Sequence, residues 1–426
     1  MEIEAVLIFE TGQVNDLYPF SILHCGWELR CGCFCLFEKL QQQFPEAKLH
    51  FYGRKAHLES FLARFQKKNE NIGRQNLLVF NSAVLPETKL WKSMKSKYIE
   101  QIEINSETKS ALFTKNGFPF AAYLPKEEIV NPLESDKYFL SEMLERFYDV
   151  FPKIEVEEAR IINYLWDAIY ENDRAIDDDA LFFTNSANLE ELESKGVFLV
   201  EKERIKISKS AKIAPLVVLD ASGGHIVIDD NVIIMAHSTI MGPCYIGKNS
   251  LIKAGAKIYE KTSIGETCKV GGEVENSIVH AYSNKQHEGF LGHSYICEWV
   301  NLGADTNTSD LKNTYSNIKV WLEGREIDTR KMFLGLLCGD HTKSAINTSF
   351  TTGTVAGICG ILVHDGFLPN AIPSFAWTGR RNSPIYKLSK ALEVARIVMQ
   401  RRNLSLIPEE EYLISAEYEK IIGEKK

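Results

Sequence analysis

The chain has 426 residues, 45% of them hydrophobic and 25% charged. That is the balance of a folded globular protein with room for two or three domains, and it excludes a disordered or collagenous chain. Lys and Arg number 49 against 57 Asp and Glu, a net charge of −8 that argues against a nucleic-acid or anionic-membrane partner, since both need a basic face.

From the start, Met1 to Gln13 lacks a basic stretch ahead of an apolar run, and nothing downstream is long and apolar enough to span a bilayer. The expected address is therefore the cytoplasm. "EAVLIF" reads as a buried strand, "CLFEKLQQQF" as helix, "KLHFYG" as strand, "HLESFLARFQKK" as amphipathic helix and "NLLVFN" as strand. Such alternation predicts an α/β domain with a mostly parallel sheet. Four of the nine cysteines crowd here, Cys25, Cys31, Cys33 and Cys35. Their spacing does not match zinc knuckles, so they are expected to be small buried side chains, and no metal ligand is assigned. Two stronger helices, "SDKYFLSEMLERFYDVF" and "EVEEARIINYLWDAIYENDRAI", are expected to connect this domain, residues 1–199, to the C-terminal half of the chain.

From about residue 200 a repeat takes over. Ile228, Ile234, Ile240, Ile246, Ile252, Ile258, Ile264 and Val270 recur at intervals of six, all β-branched, with small or turn-prone residues between them. No α-helix has that period. It is the hexapeptide pattern of a parallel β-helix, in which three hexads make one triangular coil and each inward side chain stacks on its equivalents above and below. Upstream, Ile207, Ile213 and Leu219 keep the interval, and three extra residues precede Ile228. Downstream the step from Val270 to Ile278 is eight, and Phe290, Ile296 and Leu302 are expected on the new register, with Asn284 at an inward-type position. The stretch "TSDLKNTYSNIKVWLEGREIDTRKM" interrupts the prism, and a final set is expected through Leu334, Ile346 and Ile358, with Asp340, Thr352 and His364 in alternate slots. The β-helix is expected over residues 200–382. After it, "PIYKLSKALEVARIVMQRRNLSL" and "IPEEEYLISAEYEKIIGEKK" predict a helical tail, residues 383–426, that caps the solenoid or packs on a neighbour.

This arrangement resembles the bifunctional uridylyltransferase–acetyltransferases that make UDP-N-acetylglucosamine, and more closely the GlmU-like sugar nucleotidyltransferases. "LYPFSILHCGWELRCG", the run from Gly271 to Trp321, "GDHTKSAINTSFTTGTVAG" and "PSFAWTG" carry the resemblance. It implies an α/β nucleotidyltransferase-like domain, a left-handed parallel β-helix with an acyltransferase site, and a homotrimer. It also implies acetyl-CoA as acyl donor and a sugar phosphate or sugar nucleotide as partner. His293 in "GFLGHSY" resembles the family's general base, a task near neutral pH that suits histidine. Asn301, Gly303 and Ala304 in "VNLGA" match the element where sugar nucleotide and CoA meet. Lys285, Tyr295 and Asn307 are candidate phosphate or sugar contacts by position, and Arg380 and Arg381 are candidate holders of CoA phosphates. His341 and His287 are weaker alternatives to His293.

The sequence departs from the family at Asp305, which replaces a glycine, and at Thr306 to Asp310, where "NYDG" is absent. In the N-terminal domain "FETGQVNDLYPF" stands where a glycine-rich triphosphate loop is usual. Leu17 to Ser135 contains no aspartate, so Mg²⁺ would need a glutamate such as Glu28. Arg30, within the retained "ELRCG", is the candidate phosphate contact there. Three readings are open: an acyltransferase acting at His293, a trimeric sugar-nucleotide binding module with both sites decayed, or a nucleotidyltransferase with a rearranged metal site.

Overall fold

The computed structural model describes residues 1–70, 72–104, 108–129, 144, 147–364, 366–379 and 384–424. It divides into two compact units. The first takes in residues 1–15, 24–29 and 34–163, and the second residues 16–23, 30–33 and 164–426.

The first unit is built on a six-stranded sheet. Its strands are β1 (Ala5–Phe9), β2 (Lys48–Tyr52), β3 (Leu77–Asn81), β4 (Ala111–Lys115), β5 (Phe118–Leu124) and β6 (Lys153–Glu155), in the order β2-β1-β3-β5-β4-β6. β1 runs parallel to β2 and β3, but β5 is antiparallel to both β3 and β4, so the sheet is mixed. The antiparallel half comes from a two-residue Asn116–Gly117 turn with φ of 49° and 75°, the left-handed pair that a tight hairpin requires. Val6 and Ile8 face one core with Phe51, Phe80 and Trp91, while Ala5, Leu7 and Phe9 face another with Val79 and Leu112. A strand buried on both faces explains why "EAVLIF" is a continuous apolar run. Helices Leu36–Gln43 and Lys55–Arg64 fall where the sequence predicts them, and Thr88–Ile104 is a further helix beyond that reading.

The expected helix over 155–176 begins late, at Leu165, and ends at Asp179. Lys153–Glu155 pairs with β4 instead, and the helix starts where the Tyr164 N–H donates to the Asp167 carboxylate at 3.0 Å, a capping box. The helix expected over 135–151 lies largely outside the described residues.

The second unit is a parallel β-solenoid with three faces. The first face is a nine-stranded sheet that includes Ile226–Ile228, Cys244–Ile246 and Thr262–Ile264. The second includes Ile233–Ile234, Leu251–Ile252 and Lys269–Val270, and the third Thr239–Met241, Lys257–Ile258 and Glu273–Glu275. Ile228 pairs with Ile246 and Ile246 with Ile264, so three hexads make a coil as the repeat predicts. All eight residues of the repeat are buried in one core.

Beyond Val270 the coil shortens and the expected register slips. Val279, not Ile278, pairs with Ile264; Leu291, not Phe290, pairs with Val274; and Lys285, not Asn284, pairs with Val270. The insertion then contributes an antiparallel hairpin, Lys319–Leu322 with Arg325–Asp328. After it the inward set is Cys338, Ser344, Phe350, Ala356, Leu362 and Leu368, again at intervals of six, and Ile346 is 67% exposed. Helices Leu388–Gln400 and Pro408–Glu424 complete the unit, with Pro408 as the first helical residue. Among the described residues no helix is long and apolar enough to cross a membrane.

Candidate active site

His293 occupies the corner between the third and first faces, just after the strand Phe290–Gly292, with φ of 41°. Its Nδ1 lies 2.8 Å from Asp310 Oδ2, and the two side chains are 13% and 15% exposed. A carboxylate only accepts, so Nδ1–H donates, and in the neutral imidazole Nε2 then keeps its lone pair. The Phe333 ring stacks on the imidazole at 5.1 Å, and Tyr170 lies at 6.0 Å. Tyr170 donates to the Phe333 carbonyl at 2.8 Å, which fixes that wall. Gly292 is required for the pair: a Cβ there would sit 2.4 Å from Asp310 Oδ2. Sequence reasoning missed Asp310 as a partner. The signal was its separation of 17 residues, close to one coil, which brings it beside His293 from the adjacent turn.

Asn307 also comes from that adjacent coil. Its Oδ1 accepts from the Phe290 N–H at 2.8 Å, and its Nδ2 donates to the Asp305 carbonyl at 3.0 Å. Asn301 lies on the second face, bridged to Asn284 and Lys343. The Gly303 N–H donates to Ser344 Oγ at 3.0 Å, and a Cβ at Gly303 would meet the Ala345 carbonyl at 2.4 Å, so coil stacking accounts for this glycine. The Ala304 carbonyl accepts from the Asn347 N–H at 2.8 Å. His341 is buried with its ring 6.1 Å from Trp299, and His287 is exposed. Arg380 and Arg381 lie outside the described residues.

Three other candidates are internal. Lys285 holds an inward position where its neighbours carry Val270 and Leu302, and its ammonium donates to the Gly271 and His287 carbonyls at 3.1 and 2.8 Å. Burial pushes that ammonium down to about 8. Tyr295 is fully buried, and its hydroxyl accepts from the Arg30 N–H at 3.1 Å. The Arg30 guanidinium is equally committed: it donates to the His280 and Cys33 carbonyls at 3.0 and 2.6 Å and pairs with Glu266 at 2.7 Å. Its donors serve the solenoid wall, where Gly32 and Ser263 both donate to Asn172 of the Leu165–Asp179 helix.

In the first unit the segment after β1 is closed by carboxylates. Glu10 is buried and accepts from the Gly26 N–H at 3.0 Å, the Arg54 N–H at 2.7 Å and Arg54 Nε at 3.0 Å. Glu28 is buried, paired with Arg64, and accepts from the Cys25 N–H at 2.8 Å. Both carboxylates are taken up by these donors. All nine cysteines are buried thiols; Cys25 and Cys35 pack in the first unit's core, and burial pushes the Cys25 thiol up.

An α/β domain followed by a hexapeptide solenoid defines the class, and the comparisons with known proteins agree. Residues 6–188 match the family model described as sugar nucleotidyl transferase, and residues 225–260 match that of the bacterial transferase hexapeptide. The match to the sugar nucleotidyl transferase model thus lies ahead of the match to the transferase hexapeptide model. Over 111 residues it is 32% identical to a bifunctional sugar-1-phosphate nucleotidylyltransferase/acetyltransferase from Sulfurisphaera tokodaii, covering 26% of this chain and 27% of that one. Over 111 residues it is 30% identical to the bifunctional protein GlmU of Methanocaldococcus jannaschii, covering 26% of each. The chain spans about a quarter of the length of these curated relatives. A solved GDP-perosamine N-acetyl transferase from Caulobacter crescentus, in complex with CoA and GDP-perosamine, aligns over 86% of this chain and 91% of its own. That match has 13% identity and a TM-score of 0.14, too low to carry an argument.

Proposed function

We propose that this protein is a transferase acting on sugar phosphates or sugar nucleotides, with acyl transfer from acetyl-CoA at His293 as its working chemistry. The observation that carries the reading is the 2.8 Å contact between His293 Nδ1 and Asp310. It orients the imidazole and leaves Nε2 as an acceptor, as general-base catalysis requires. In the step proposed, the amine nitrogen of an amino sugar attacks the thioester carbonyl and the N–C bond forms. One N–H proton passes to Nε2, the C–S bond breaks, and the proton leaves with the thiol. Phe333 and Tyr170 screen the ring from water, which strengthens its interaction with Asp310. Asn307, Gly303 and Ala304 are proposed to border the sugar and acyl-donor sites, and the assembly is proposed to be a left-handed homotrimer.

The first unit is proposed to bind a sugar nucleotide without transferring it, because Glu10 already takes the N–H donors of Gly26 and Arg54. The second reading is a binding module with no transfer at either site. The test is thiol release from acetyl-CoA in the presence of glucosamine 1-phosphate. Wild type should turn over, and His293→Ala should lose roughly 10²- to 10⁴-fold with sugar binding retained. Sugar binding without thiol release from wild type would leave only the binding module. Pyrophosphate release from UTP, Mg²⁺ and a sugar 1-phosphate would overturn the assignment of the first unit.

A further inference from the structure

Away from His293, the corner between the first and second faces is lined by a column of residues in the left-handed region: Asn231, Asn249, Thr267, Tyr282, Trp299 and His341, with φ between 53° and 60°. Asparagine suits this conformation; tyrosine and tryptophan do not, and Tyr282 and Trp299 both border a cleft. There the Tyr282 and Trp299 rings stack at 4.4 Å and 5°. The cleft beside them holds about 280 Å³ and lies between the second face and the end of the helix Leu388–Gln400.

Four cations line it, Lys269 and Lys343 from the coil and Arg401 and Arg402 from just past the helix, and among the described residues no carboxylate does. Their described partners are neutral: Lys343 donates to the His341 carbonyl at 2.7 Å, and Arg402 to Asn284 Oδ1 at 3.4 Å. The end of a helix attracts cations, which accounts for the two arginines but not for the two lysines. Burial, with Arg402 and Arg401 adding to it, pushes the Lys269 ammonium below the ordinary lysine value, and burial does the same to Lys343. In a chain of net charge −8, four like charges converge with no carboxylate among the described lining residues to balance them.

We propose that this cleft binds the diphosphate group of a small molecule, with Arg401, Arg402 and Lys269 on its oxygens and Tyr282 and Trp299 as the adjoining wall. Arginine forks match phosphate oxygens, and the volume suits a diphosphate. The site shares no residue with the His293–Asp310 pair, although Asn301 of the "VNLGA" element lines it.

The test is calorimetric titration of the full chain with pyrophosphate and, separately, ADP. Both should bind, and the Arg401→Ala/Arg402→Ala variant should lose roughly tenfold per arginine. Lys269→Ala should weaken binding as well. Arg396→Ala, on the same helix but paired with Glu411, should leave it unchanged, as should His293→Ala. ADP binding tighter than pyrophosphate would identify a nucleoside diphosphate, and equal affinities a bare diphosphate. Absence of saturable binding up to about 10 mM, or equal loss in the Arg396 and Arg401/Arg402 variants, would overturn the proposal.

Discussion

Asp310 acts on His293 by geometry as much as by charge. Its oxygen lies 2.8 Å from Nδ1, and Gly292 leaves the gap it needs. Asp310→Asn keeps the shape but lets the amide present either a donor or an acceptor, so the ring loses its imposed tautomer. Thiol release should fall at least about tenfold in kcat with KM little changed, the pattern of a group that positions a catalytic base. Gly292→Ala should do the same, because its Cβ would displace the carboxylate. Unchanged kcat in both would remove Asp310 from the reaction. Lys285 offers a second test of a single side chain. Its folded value of about 8 lies below the ordinary 10.5, so between those limits the unfolded chain binds more protons than the folded one. Stability should therefore rise with pH across that window, by on the order of 1–2 kcal/mol from pH 8 to pH 10, while below pH 8 the burial cost is fully present. Lys285→Met should abolish the rise, and denaturant midpoints at the two pH values check it. The comparison rests on that slope, since the variant also strands two carbonyls at about 1 kcal/mol each. Parallel pH profiles for wild type and variant would mean the lysine is not held charged and buried.

The solenoid's strands show why part of the fold was legible in sequence and part was not. From Ile228 to Val270 the side chain at every sixth position is β-branched and every coil has the same length, so stacking imposes a strict period. Past Val270 the coil shortens, and adjacent apolar pairs, Ile278 with Val279 and Phe290 with Leu291, give composition no means of choosing which one faces inward. Lys285 inside the prism defeats the rule that inward means apolar. After the hairpin, Cys338, Ser344 and Ala356 are small enough to hide the period that Leu362 and Leu368 keep. The site divided in the same way. His293 could be read from its local motif, whereas Asp310 reaches it only through the stacking of coils. Inward and outward positions should differ sharply on substitution. Ile246 is fully buried between Ile228 and Ile264, and Ile246→Ala should cost about 2–5 kcal/mol. Ile233 is 42% exposed, and Ile233→Ala should cost under about 1 kcal/mol. Similar chemical denaturation midpoints for the two would contradict the register.

At the scale of the whole molecule, a solenoid grows by exposing at its end the same backbone edge it buries between coils, and that edge must be covered. Here the covering is supplied by the last two helices. Ser374 donates to the Glu417 carboxylate at 2.6 Å, Phe375 meets Tyr418 edge-on at 5.0 Å, and both Ser374 and Glu417 are buried. Ala391, Leu392, Ala395, Met399, Leu413 and Ile414 are buried as well. A chain ending at Lys387 would lose this apolar burial, on the order of 5–10 kcal/mol, and would strand Ser374 at the final coil. It should unfold at a lower temperature and associate through its open edge, which calorimetry and light scattering would register together. It would also lack Arg401 and Arg402, so pyrophosphate binding should vanish, while His293 and Asp310 keep their contact within the coils. If the shortened chain stayed monodisperse with an unchanged midpoint, the helices would not be a cap, and the solenoid's last coil would have to be stable by itself.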